Sequence, residues 1–194
     1  MPISRRTFIA RSIAMGAGGL VSLGVTGAWG GPGNELKSDP MFSQPYVDVD
    51  EWRDEPSRHR YVHGGFTGTE ARFVMRFPAE EQYQGRFYQY VTPVPMSEIV
   101  AENLWDGAFP GFCFDSGAMA VVSNQGGFEN IPQYDGNGDP TIGAYRVSAA
   151  TARYARVLAG EMYGNHRTYG YVFGGSGGAF RAFSCAESTN VWDG

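Results

Sequence analysis

The sequence predicts an α/β fold: a mostly parallel sheet with crossover helices. Three observations predict it. Gly117-Ala118-Met119-Ala120-Val121-Val122-Ser123-Asn124 is a continuous apolar run without alternation, as in a strand buried on both faces. Ala144 to Glu161 sets Tyr145, Ala149, Ala152, Tyr154, Val157 and Leu158 among Arg146, Arg153 and Arg156, the spacing of an amphipathic helix that Gly164 ends. Tyr169 to Phe183 then reads as a short apolar strand, a turn of four glycines around Ser176, and the start of a second helix. Strand, helix and strand in that order make a crossover between parallel neighbours.

Earlier elements fit the same class. Glu70 to Phe77 alternates as an antiparallel strand with one wet face, and Pro78 ends it. Gly85 to Val91 is the next strand, stopped by Thr92-Pro93-Val94-Pro95. Met96 to Trp105 suits a short helix capped by Ser97, or a loop. Ahead of these, Arg60-Tyr61-Val62-His63-Gly64-Gly65-Phe66 resembles the His-Gly-Gly oxyanion motif of lipases, but a strand candidate follows it directly. The Gly64-Gly65 and Thr67-Gly68 steps therefore read as turns opening a meander. Gly31 to Ser57 is polar and proline-bearing, an irregular arm over the surface. Asp135-Gly136-Asn137-Gly138-Asp139 has the oxygen spacing of a calcium loop. Pro140 and Arg146 stand where that loop needs Gly and Glu, so a surface Asx-turn is expected and no metal.

Composition narrows the function classes. With 194 residues, 42% hydrophobic and 18% charged, the chain suits one globular domain. A net charge of −5, without a basic run after the N-terminus, argues against nucleic acid as a partner. Cys113 and Cys185 cannot form a disulfide framework or a cysteine-rich zinc site; two small buried side chains are expected, with a single bridge between them left open by the spacing. Residues 1–30 stand apart from the fold. Ser4-Arg5-Arg6-Thr7-Phe8-Ile9 resembles the twin-arginine export signal, and the run after it is too short and glycine-rich to span a membrane. Thr26 and Ala28 suit a peptidase site. Removing Arg5, Arg6 and Arg11 from the 15 basic residues leaves 12 against 20 acidic ones, a mature charge of −8. The resemblance implies export to the periplasm or beyond, with the twin-arginine translocase as a transient partner and no membrane anchor.

Gly174-Gly175-Ser176-Gly177-Gly178 fits G-x-S-x-G, the nucleophile elbow. A serine on a sharp strand-to-helix turn occupies a sparsely allowed backbone region. Flanking side chains would collide with strand and helix, so glycine is favoured at Gly174, Gly175 and Gly178. The turn lifts the Ser176 hydroxyl above the sheet edge and aims the Gly177 N–H at a developing oxyanion. Pro93 and Pro95 have no N–H, which leaves Val94 or Thr92 for a second oxyanion donor. No cofactor is called for.

With these residues in place the chain resembles the α/β-hydrolase serine esterases, most closely their tannase and feruloyl esterase-like branch. The resemblance runs from about Gly64 to Gly194, through Gly85-Arg86-Phe87, Ala120-Val121-Val122-Ser123, Tyr169-Gly170-Tyr171, Glu187 and Trp192-Asp193-Gly194. It implies hydrolysis of a small-molecule carboxylic ester with Ser176 as nucleophile. That branch typically has a bridged Cys before its serine; Gly175 stands there instead. The fold's triad runs Ser, acid, His along the chain. His59, His63 and His166 all precede Ser176, and only Glu187 and Asp193 follow it. His166 is expected at the far end of the elbow strand, five residues away at ~3.3 Å each. The expectation is the N-terminal part of a hydrolase domain over 58–194, incomplete at its C-terminus and weakly active or inactive alone. Two alternatives remain open: a non-catalytic exported binding protein that keeps the elbow as architecture, and a phosphate binder at the glycine turn.

Overall fold

The computed structural model describes residues 39–102, 108–127 and 138–194. The export signal, the start of the arm and Asp135-Gly136-Asn137 lie outside the described residues.

Six strands form one sheet: β1 (Pro45–Arg53), β2 (His59–Phe66), β3 (Arg72–Pro78), β4 (Arg86–Tyr90), β5 (Ala118–Ser123) and β6 (Tyr169–Phe173), in the order β1-β2-β3-β5-β4-β6. Helices α1 (Glu98–Glu102) and α2 (Ala108–Asp115) join β4 to β5. A π-helical turn, Ile142–Arg146, leads into α3 (Val147–Tyr163), and α4 (Gly177–Ser188) follows β6.

The sheet is mixed, which corrects the expectation of a mostly parallel one. β1, β2, β3 and β5 pair antiparallel, while β4 pairs parallel with β5 and β6. The cause is connection length. Residues 54–58 and 67–71 are too few for a crossover, so β1, β2 and β3 can only fold back as hairpins. The helical connections after β4 and β5 are long enough to return the chain in parallel.

Two local expectations also change. Pro45–Arg53, inside the expected irregular arm, is a nine-residue strand. Its exposed acidic residues hid it, yet charge suits an edge strand that must not recruit another chain. Arg60 grips Asp50 of this strand through two bonds, at 2.8 and 2.7 Å. Gly64-Gly65 is not a turn but lies within β2, where β1 and β3 press closest. A Cβ on Gly64 would sit 2.0 Å from the Tyr46 carbonyl oxygen, and one on Gly65 would sit 2.5 Å from that of Ala71. Thr67-Gly68 is the turn, with Gly68 at φ 76°.

Alternation in the central strands sorts two cores onto opposite faces. Phe87, Met119 and Val121 pack with Phe73, Met75 and the small face of α3: Ala149, Ala152, Ala155 and Ala159. Tyr90, Ala118, Ala120 and Val122 pack with Ala101, Phe109 and Cys113 of α1 and α2. All six residues of β5 are buried, as its unbroken apolar run predicts. Buried Gln89 in β4 is satisfied by polar partners: its amide donates to Ser148 O at 3.0 Å, and its oxygen accepts from Trp192 Nε1 at 3.1 Å. Cys113 and Cys185 belong to different faces and are free. Among the described residues no helix is long and apolar enough to cross a membrane.

The connection from β4 leads to β5 on one side, and the connection from β5 passes back over β4 to β6 on the other. In open α/β sheets such a reversal leaves a crevice beyond the carboxyl ends of the parallel strands. The Gly174–Gly178 turn stands there.

Candidate active site

Ser176 is the residue between β6 and α4, with φ 55° and ψ −123°. L-residues avoid that conformation, and holding one there costs on the order of 1–3 kcal/mol. It is one of two non-glycine residues with positive φ among those described; Gln125, φ 56°, is the other. Ser176 is exposed, and its hydroxyl makes no capping bond to the helix. It therefore neither stabilises α4 nor lies beneath packed hydrocarbon.

The neighbouring glycines explain how the bend survives. Cβ atoms on Gly174 and Gly178 would lie 2.5 and 2.4 Å from the Val91 carbonyl oxygen, and one on Gly177 would lie 2.7 Å from that of Pro93. Strand β6, the first turn of α4 and the loop after β4 thus converge backbone to backbone. Gly175 differs: a Cβ there meets nothing within 4 Å. The expectation that glycine is needed for steric reasons holds at Gly174 and Gly178 and fails at Gly175. Gly177 begins α4, so its N–H is among those with no intrahelical acceptor.

The loop Thr92–Ser97 runs alongside. Thr92 Oγ1 donates to Val94 O at 2.6 Å, and Gln125 Nε2 donates to Thr92 Oγ1 at 2.9 Å and to Thr92 O at 3.1 Å. Arg181 of α4 donates from Nε to Pro93 O at 3.3 Å and from a terminal nitrogen to Gly143 O. Burial holds this guanidinium below the usual arginine range. Val94 is 37% exposed, on the same loop as the residue that abuts Gly177. Gln125 and Arg181 complete this arrangement, although neither is among the site residues expected from the sequence. A polar residue at the carboxyl end of a fully buried strand was the available signal for Gln125. Arg181, one turn into the helix after the serine, was the signal for the other.

Each histidine is engaged elsewhere. His59 is buried, faces Ser57 O through Nδ1 at 2.7 Å and packs on the Phe114 ring; burial lowers its pKa. His63 lies between Asp48 and Glu98. His166 contacts Tyr83 Oη at 2.9 Å and Gly164 O at 2.7 Å, before β6 begins and so across the strand from Ser176. Asp193 accepts from the Gly170 N–H at 2.9 Å and pairs with Arg156 and Arg167. Burial would raise its pKa, but these partners hold it below the ordinary carboxylate value. It thus serves the start of β6, not the elbow. Among the described residues no group of three His, Cys, Asp or Glu side chains is placed to hold a metal ion.

No family model matches the chain, and no curated protein matches it. Among solved structures it is similar to the tannin acyl hydrolase from Aspergillus niger, with a TM-score of 0.54 and 19% sequence identity. The match covers 77% of this chain and 30% of that one, so the chain spans about a third of that protein's length. The chain shares a mixed α/β fold with that protein over the matched residues.

Proposed function

We propose that this chain carries the nucleophile of an exported serine hydrolase acting on carboxylic esters. Ser176 attacks the ester carbonyl, and the N–H groups of Gly177 and Val94 receive the oxyanion. The observation that carries this reading is the strained, exposed Ser176 between β6 and α4, with loop Thr92–Ser97 packed against it. Strain of that kind persists where a site over-determines it. The similarity to a tannin acyl hydrolase supports acyl esters as the substrate class.

Among the described residues no histidine stands beside Ser176 to act as its base. All three histidines have partners away from Ser176. The chain spans 30% of the similar enzyme. Phe180 and Phe183 of α4 are 73% and 68% exposed, an apolar surface on the helix that follows the elbow. Without its base a serine hydrolase loses on the order of 10⁶ in turnover. Added imidazole should therefore raise 4-nitrophenyl acetate hydrolysis by the wild-type chain above that of Ser176→Ala. Identical rates for the two at every imidazole concentration would remove Ser176 from the chemistry. They would favour the second reading, an exported binding protein without activity, which the lack of a histidine beside Ser176 also supports. Export itself is tested by fusing residues 1–30 to a reporter and replacing Arg5-Arg6 by Lys-Lys, which should abolish its transport.

A further inference from the structure

Away from the elbow, three side chains from three elements form a chain of acid, imidazole and acid. His63 of β2 meets Asp48 Oδ1 through Nδ1 at 2.5 Å and Glu98 Oε1 through Nε2 at 3.0 Å. Asp48 reaches the ring because it is the extra residue of a β-bulge. Val47 pairs with Gly64 and Val49 with His63, and Asp48 lies between. Bulges re-aim side chains in this way. Glu98 opens α1, and its side chain is only 10% exposed, against 45% for Asp48.

A carboxylate at each ring nitrogen needs a donor at each, so the ring here is the imidazolium. Among the described residues, the arginines flanking it on this face have other partners. β3 places Val74 opposite His63, with Arg72 and Arg76 two residues to either side. Arg72 donates to Thr69 O and Ala71 O, and Arg76 stacks over Tyr61. Burial pushes the His63 pKa down, but the bonds to Glu98 and Asp48 outweigh it and the net shift is upward.

We propose that cationic His63 is a positioning residue that clamps the first turn of α1 to the β1–β2 edge and thereby holds loop Thr92–Ser97 against the elbow. Its relevance to catalysis rests on the elbow reading above; the clamp itself does not. The loop is pinned at two ends. At the first, Gln125 and Arg181 hold Thr92 and Pro93. At the second, Ser97 accepts from the amides of Ile99 and Ala101, and Glu98 is held by His63. Val94, the proposed oxyanion donor, lies between the pins. When the ring loses a proton it keeps one N–H. Half-exposed Asp48 can turn to water, whereas Glu98 cannot. The remaining N–H then stays with Glu98 as a weaker bond, charged on the acceptor side alone. Because the folded pKa is raised, the clamp is complete below about pH 6.5 and fades as pH rises through the folded value.

The test follows the His63 ring by NMR and backbone amide protection over residues 92–101 by hydrogen exchange, from about pH 5.5 to about pH 9. Protection at Ile99 and Ala101 should fall about tenfold with the midpoint of the His63 titration. Glu98→Gln should move both midpoints down together, and Asp48→Asn should do so by less. His63→Phe should remove the pH dependence; the milder two variants serve if it does not fold. A His63 that titrates at its ordinary value would overturn the proposal. So would protection that ignores its titration. Neither readout involves ester chemistry, so Ser176 labelling can fail while the clamp survives, and the reverse.

Discussion

Substituting alanine in turn at Gly174, Gly175, Gly177 and Gly178 should split one glycine cluster into two kinds. At Gly174 and Gly178 the new Cβ lies 2.5 and 2.4 Å from the Val91 carbonyl oxygen, and at Gly177 it lies 2.7 Å from that of Pro93. Ordinary contact begins about 1 Å further out, and the obstacle is backbone, which cannot rotate away. Overpacking of this sort costs about 1–3 kcal/mol. Alanine at Gly177 and Gly178 also gains up to ~1 kcal/mol in helix propensity, which offsets part of that. The net loss should be about 1–2 kcal/mol, largest at Gly174, which lies outside the helix. Gly175 has nothing within 4 Å and no positive φ, so alanine there should stabilise by about 0.4–1 kcal/mol through the unfolded chain. Urea unfolding measures this directly. With a slope of ~2 kcal/mol/M, three midpoints fall by roughly 0.5–1 M and the fourth rises slightly. A Gly175→Ala variant as unstable as Gly178→Ala would refute the convergence of strand, helix and loop backbones at the elbow.

Other predictions concern separate parts of the molecule. Ser176→Gly should be more stable than Ser176→Ala by about 1 kcal/mol, because glycine tolerates φ 55° and alanine does not; equal melting temperatures would mean the bend is unstrained. Arg146 beside Asp39 holds that carboxyl below its ordinary pKa, so its stabilising effect is present above about pH 3.8 and is lost as pH falls through the folded value. Asp39→Asn should flatten the acid limb of the midpoint-versus-pH curve. Burial raises the pKa of both thiols. Cys113 and Cys185 should thus resist a thiol reagent at about pH 8 until denaturant is added. Phe180→Glu with Phe183→Glu should cut dye binding to the exposed apolar face and change stability by less than about 0.5 kcal/mol for each site.

Much of this was legible in residues whose pattern has a single physical cause. The unbroken run at 118–123 could only be a strand covered on both faces, and the glycines around Ser176 marked where backbones meet. What stayed hidden depends on partners far along the chain. Strand β1 carries Asp48, Asp50 and Glu51, and such charge suits a strand only once β2 is seen beside it. Gly64-Gly65 has turn chemistry locally, yet Tyr46 and Ala71 require it inside a strand. The Asp48–His63–Glu98 chain needs a bulge, which shifts register by one residue and leaves no mark on composition. Gly175 was read as sterically required because it stands among glycines that are; only the space above it tells them apart.

Ser176 is proposed above as a nucleophile held at a strained bend with no histidine beside it. That role is tested most directly by treating the purified chain with a fluorophosphonate and mapping the adduct by mass spectrometry. A slow adduct is expected on Ser176 alone, orders of magnitude slower than in a working serine esterase and absent from Ser176→Ala. Labelling of Ser176 at a working enzyme's rate, or an adduct on some other residue, would contradict it.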